Sequence, residues 1–118
     1  QEKFQLVRYR KGEQYMHHYD ACNPEAPDYK ACIENQSRFG GRKYTFLIYL
    51  NDIFEGGETD FPKVNVKVKP RKGAAVLFDN LEPNSRNIRD DALHAGLPPT
   101  GDEDKWIINV WIRDAKYG

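Results

Sequence analysis

Three histidines stand in this chain of 118 residues, and two of them are neighbours: His17 and His18, in the run QYMHHYDAC (14–22). Imidazole nitrogens and carboxylates both ligate divalent cations, so the triplet His18-Tyr19-Asp20 raises the question of which histidine faces the aspartate. In an extended chain, successive side chains point to opposite faces. His18 then shares a face with Asp20, while His17 and Tyr19 point the other way. The remaining imidazole, His94, lies far downstream and could supply a third ligand. Two histidines and one carboxylate on one side of an ion leave its other side open, the arrangement used by non-haem Fe(II) oxygenases. The same residues can also be read as an exposed histidine pair beside an aspartate. Lys105, eleven residues after His94, bears on the choice. If buried, it would need an anion to offset the desolvation of its charge; if exposed, it is a solvated strand end.

The elements that must position these residues read as strands. FQLVRYR (4–10) alternates, with Gln5, Val7 and Tyr9 on one face, and YMHHYD (15–20) is short and extended. Segment 21–42 is polar, with two prolines and a Gly-Gly pair, and reads as a loop. YTFLIYL (44–50) is β-branched and aromatic enough to be buried on both faces. NDIFEGGETDFP (51–62) turns at Gly56-Gly57, and its acidic residues read as a solvated turn; their spacing does not fit an EF-hand calcium loop. VNVKVKP (64–70) alternates valines with polar residues, PRKG (70–73) is a turn, AAVLFD (74–79) reads as a buried strand, and ALHAG (92–96) is short and apolar. KWIINVWIR (105–113) closes the chain. No segment longer than ten residues keeps a helical period. About eight short strands and few or no helices predict a mainly β chain, a two-sheet sandwich or jelly roll, with residues 1–118 forming a single domain.

Composition sets limits on partners. Lys plus Arg equals Asp plus Glu at 18 each, for a net charge of zero, which argues against a nucleic-acid partner held by phosphate charge. Lys67, Lys69, Arg71 and Lys72 read as a solvated strand edge. Mean hydropathy is −0.83, yet fifteen aromatic residues can bury large areas. No run approaches the roughly 18 apolar residues of a membrane span, and no signal peptide opens the chain. The compartment stays open, with the cytoplasm slightly favoured. Cys22 and Cys32 are the only cysteines, and they are either a disulfide or two free thiols.

Taken in order, RYRKGEQYMHHYD, RKYTFLIYLNDIFEGGETDFP, VKPRKGAAVLFDN, ALHAGLPP and DKWIINVWIR resemble the catalytic domain of prolyl 4-hydroxylases. The likeness runs from Leu6 to Arg113. These are Fe(II)- and 2-oxoglutarate-dependent dioxygenases with a double-stranded β-helix core, and further helices, if there are any, would precede Gln1. The resemblance implies His18, Asp20 and His94 as iron ligands. It implies that Lys105 pairs with the distal carboxylate of 2-oxoglutarate, that Tyr9 donates its hydroxyl to the same carboxylate, and that Tyr49 lines the co-substrate pocket. Arg42, which follows Gly40-Gly41, and Trp111 match positions that face the substrate proline. O2 is the second co-substrate and ascorbate the reductant.

Two features depart from the family pattern. The His94–Lys105 interval is one residue longer, an insertion placed in PPTGDED, and His17 stands where related enzymes often have proline. The implied function is hydroxylation of proline in a peptide or protein, with no nucleic-acid or membrane partner. The alternatives are a hydroxylase of lysyl side chains or free amino acids, and a non-catalytic β-sandwich that binds a metal or peptide.

Overall fold

Period-two alternation builds two antiparallel sheets, seen in a computed structural model that describes residues 2–52 and 55–114. The strands are β1 (Gln5–Tyr9), β2 (Tyr15–His18), β3 (Arg42–Tyr49), β4 (Thr59–Phe61), β5 (Val66–Val68), β6 (Ala75–Asp79), β7 (His94–Gly96) and β8 (Lys105–Arg113). One sheet runs β1-β8-β3-β6 and the other β2-β7-β4-β5. This is the mainly β, jelly-roll architecture expected of the sequence.

The inner face of the first sheet holds the core. Tyr9, Leu47, Tyr49 and Ile107 form one buried cluster, with Val7, Val68 and Val76 packed against it. Full burial of an aliphatic side chain such as Leu47 or Ile107 contributes roughly 1.5–3 kcal/mol. Strand β3 alternates strictly, with Thr45, Leu47 and Tyr49 buried and Phe46 and Ile48 half-buried. It is therefore not buried on both faces, as its composition predicts. Strand β6 also departs from expectation: Leu77 is 55% exposed, because β6 is the free edge of its sheet. In β5, likewise an edge, the valine face is only partly inside: Val68 packs against the core, while Val66 and the preceding Val64 are exposed. Lys67, Lys69, Arg71 and Lys72 are solvated, as read from the sequence.

Segment 21–42, read as a loop, contains an eleven-residue helix, α1 (Tyr29–Phe39). Its residues have adequate helix propensity and no internal Gly or Pro. Its end is set by Gly40, at φ +91°, whose N–H bonds the Gln36 carbonyl. The inward face of the helix is short: Tyr29, Cys32 and Ile33 are half-buried, and Gln36 is its one buried residue. What fastens it to the strands is polar or covalent: Arg86 donates to the Gln36 carbonyl and Arg113 to the Asn35 side chain. A disulfide joins Cys32 on the helix to Cys22, settling the choice that the sequence left open.

Gly56 and Gly57 both have positive φ, and a Cβ on Gly56 would approach the Pro98 carbonyl oxygen to 2.7 Å. That segment is the tight turn its glycines require. No helix among the described residues is long and apolar enough to cross a membrane.

The Cys22–Cys32 bond closes a loop of about ten residues, for which chain entropy gives about 2–3 kcal/mol. The double replacement Cys22→Ser, Cys32→Ser should lose that much in urea unfolding. A loss below about 1 kcal/mol would show that the bond adds little constraint to the unfolded chain.

Candidate active site

Residues opposite one another in an antiparallel ladder project to the same face, with Cβ atoms about 4.5–5.5 Å apart. Three such pairs build this site. His18 on β2 faces His94 on β7, Tyr9 on β1 faces Lys105 on β8, and Thr45 on β3 faces Trp111 on β8. Asp20 follows the end of β2 and folds its carboxylate, only 7% exposed, between the two sheets. A cavity of about 560 Å3 opens there, lined among others by His18, Asp20, His94, Tyr9, Lys105 and Trp111.

The donor atoms of His18, Asp20 and His94 all lie within 4.8 Å of one another, the one such group of His, Cys, Asp or Glu among the described residues. His18 Nε2 is 3.2 Å and His94 Nε2 3.6 Å from Asp20 Oδ1. Each histidine turns its other nitrogen to a backbone carbonyl, His18 Nδ1 to Met16 at 2.7 Å and His94 Nδ1 to Ala92 at 2.9 Å. A carbonyl only accepts, so both Nδ1 atoms carry hydrogen. In the neutral ring each Nε2 then presents a lone pair to a carboxylate oxygen. A cation placed among these three donors would satisfy all of their lone pairs at once. Ligand bonds of about 2.1 Å at right angles separate neighbouring donors by about 3 Å, close to the spacing found. Two imidazoles and one carboxylate, without thiolate, suit Fe(II).

Burial raises the Asp20 carboxyl, but the His18 and His94 rings and the Thr45 hydroxyl outweigh it and hold it well below the usual carboxylate range. Burial pushes His94 down, which favours the neutral, ligating ring. His17 pairs with Asp60 at 2.9 Å and is not one of the clustered donors, although it too borders the cavity. Aromatic rings wall the ligands. Tyr15 stacks on His18 with centroids 3.9 Å apart, and Phe78 meets His94 edge-on at 4.8 Å.

Lys105 is 1% exposed. Desolvation lowers its ammonium to about 8, against a partial opposing pull from Glu58. No carboxylate lies within ion-pair distance among the described residues; its Nζ sits 5.1 Å from the Tyr9 ring centroid. The Tyr9 hydroxyl is pushed up to about 12, chiefly by burial, and so stays protonated as a donor. A buried cation and a hydroxyl donor facing one cavity form a receptor for a carboxylate.

The other candidates fall into two groups. Tyr49 lies behind the cavity wall, its hydroxyl 2.6 Å from Thr59 Oγ1, and Thr59 lines the cavity. Arg42 and Trp111 both line the cavity, with the guanidinium stacked 3.9 Å over the indole. Both are also engaged within the chain: Arg42 is held by the Glu2 carboxylate at 2.7 and 2.9 Å, and Trp111 Nε1 donates to Asp20 Oδ2 at 3.1 Å. Sequence reasoning did not single out Thr45, whose hydroxyl donates to the same Asp20 oxygen. The signal was its alternation with Leu47 and Tyr49, which puts it on the inner face of β3.

Comparisons with known proteins agree with this geometry. The family model described as the 2OG-Fe(II) oxygenase superfamily matches residues 4–113. A protein of Acanthamoeba polyphaga mimivirus, named provisionally a prolyl 4-hydroxylase, is 43% identical over 116 residues, covering 98% of this chain and 46% of the viral protein. The crystal structure of a truncated viral collagen prolyl hydroxylase from Paramecium bursaria Chlorella virus-1 superposes with a TM-score of 0.77 at 38% identity, covering 98% of this chain and 56% of that one. The same viral enzyme in its 2OG complex gives 0.73 at 35% identity, covering 97% and 62%. The chain spans less than half the length of the first curated relatives it matches.

Loss of a direct ligand should exceed the 10–100-fold typical of losing an outer partner. His18→Ala should therefore weaken Co(II) binding by more than about 100-fold, and His17→Ala should change it little. Titration of the metal-free protein checks both, and equal losses would contradict the assignment of faces.

Proposed function

The chain belongs to the 2OG-Fe(II) oxygenase superfamily, and within it we propose a hydroxylase of prolyl residues in a peptide or protein, using Fe(II), O2 and 2-oxoglutarate, with ascorbate as reductant. The observation that carries this reading is the coexistence, in one cavity, of the His18-Asp20-His94 cluster and the buried cation Lys105. A β-sandwich that merely bound a metal or a peptide would have no use for an anion receptor beside the ligands. The likeness to proteins named prolyl 4-hydroxylase and collagen prolyl hydroxylase supports proline as the target, and the 118 residues then constitute the catalytic domain.

When bound, the iron would supply the oxidising chemistry: 2-oxoglutarate and O2 give succinate and CO2, and one oxygen atom enters the substrate C–H bond as hydroxyl. The protein's part is to bind and orient. His18, Asp20 and His94 would hold the ion, and the cavity beside them would leave room for the co-substrate. Lys105 neutralises the far carboxylate of 2-oxoglutarate, and Tyr9 donates to it. Tyr49 acts behind that receptor, fixing Thr59 through their mutual hydrogen bond. Arg42 and Trp111, stacked at the cavity wall, present a planar surface to the peptide. Tyr15, Phe61 and Phe78 pack against the histidine rings and hold their orientation.

Incubation with Fe(II), 2-oxoglutarate, ascorbate and proline-rich peptides should release succinate and add one oxygen to proline by mass spectrometry. Succinate release with oxygen only on lysine or a free amino acid would favour those alternative substrates, and no turnover with any substrate would overturn the enzyme reading.

A charge-assisted bond of this kind contributes about 1.5–3 kcal/mol, so Lys105→Ala should raise the 2-oxoglutarate requirement about 10- to 100-fold. An unchanged requirement would remove the anchor role. Burial pushes the Lys105 ammonium down to about 8, and its charge is lost as pH rises through that value. Affinity for 2-oxoglutarate should therefore fall above pH 8, by up to about tenfold per pH unit. Lys105→Arg, charged throughout, should flatten that dependence in a calorimetric titration.

A further inference from the structure

We propose that Thr45 and Asn80 are positioning residues that fix Asp20 as a one-oxygen ligand, an inference that rests on the oxygenase reading above. Both side chains are 1% exposed, and neither lines the cavity. They can reach the metal centre only through Asp20. Asn80 Nδ2 donates to Thr45 Oγ1 at 2.8 Å. An amide nitrogen has hydrogens and no lone pair to offer, so the Thr45 hydroxyl must accept here. Its single hydrogen is thereby committed to its other neighbour, Asp20 Oδ2, at 2.7 Å. The opposite orientation of the Asn80 amide would set a carbonyl oxygen against the hydroxyl and draw that hydrogen away from Asp20.

Trp111 Nε1 donates to the same oxygen at 3.1 Å. Asp20 Oδ2 therefore receives two donors, while Oδ1 faces the two Nε2 atoms at 3.2 and 3.6 Å. The carboxylate is divided: one oxygen is tied to the first sheet, and the other is left for an ion. A carboxylate free to rotate could chelate through both oxygens and take a position that the co-substrate needs. The two donors on Oδ2 prevent this, and Asn80 fixes the direction of one of them. Asp20 lies beyond the end of β2, so no ladder hydrogen bond holds it, and the chain Asn80-Thr45-Asp20 takes over that task.

The test is Co(II) titration of the metal-free protein, read by absorption, with thermal melting to confirm folding. Thr45→Val should weaken Co(II) binding about 10- to 100-fold, the range found for outer partners of metal ligands, while Thr45→Ser, which restores the hydroxyl, should return it to within about threefold of wild type. Asn80→Leu should weaken binding less than Thr45→Val. Because Asn80 acts through Thr45, the double variant Thr45→Val, Asn80→Leu should bind about as well as Thr45→Val alone, a non-additivity that residues of independent structural effect would not show. Thr45→Val binding within about twofold of wild type, failure of Thr45→Ser to restore affinity, or additive losses in the double variant would each overturn the proposal. If Thr45→Val does not fold, Thr45→Ala is judged by the same criterion. Wild type binding Co(II) no better than His18→Ala would refute the metal site itself. Tight wild-type binding with an unaffected Thr45→Val would refute only the role of Thr45 and Asn80.

Discussion

Side chains on directly opposed residues of two antiparallel strands have no choice of face, and the site rests on that constraint. His18 and His94, Tyr9 and Lys105, and Thr45 and Trp111 are all such pairs. Each brings two functional groups within reach without a loop having to adopt a special shape. Strand β8 serves twice, with Lys105 at its start and Trp111 six residues on, both on the inner face. Tyr9 and Lys105 lie on one sheet and His18 and His94 on the other, so it is the packing of the two sheets that sets the distance between the anion receptor and the histidine pair. Asp20 is the exception. It lies outside the ladder, and it is the ligand that the side chains of Thr45 and Trp111 grip.

A polar interior has an energetic cost for so small a sandwich. The space between the sheets holds a lysine, two histidines and a carboxylate, so little apolar contact is available there to stabilise packing. The apolar burial adjoins it, in the cluster of Tyr9, Leu47, Tyr49 and Ile107, of which Tyr9, Leu47 and Ile107 also line the cavity. Tyr9 belongs to both regions, with its ring in the core and its hydroxyl available to the cavity. Low mean hydropathy, −0.83, is the sequence's expression of the same division. Aromatic residues reconcile the two demands because they bury area while leaving a polar edge or a flat face toward the site.

What could be read from the sequence followed from period two. Alternation separated His18 from His17, put Tyr9 on the inner face of β1, and marked Lys105 as the start of a strand. Alternation shows which residues share a face and not whether anything covers that face. Val66 of β5 and Leu77 of β6 are therefore exposed at sheet edges, where an inside was expected. Helix α1 escaped notice for a related reason: its inward face, Tyr29, Cys32, Ile33 and Gln36, is short, mostly half-buried and ends on a polar residue. Its placement depends on Cys22–Cys32 and on arginines distant in sequence, none of which leaves a periodic trace. Thr45 and Asn80 are beyond the reach of spacing arguments, since 35 residues separate them and only the pairing of β3 with β6 and β8 brings them beside Asp20.

The pairing of β2 with β7 is short, just Tyr15 with Gly96 and His18 with His94, with an irregularity between them. So brief a ladder is weakly specified, and a slip of one residue would reverse every side chain it carries. In the slipped arrangement His17 would turn inward and His18 outward, and the two imidazoles of the cluster could no longer meet. An ion held by both histidines favours the aligned form alone, and its binding energy becomes energy of strand alignment. Under the proposed assignment, His18 and His94 would also act as proofreaders, testing whether the shortest strands have come together in phase.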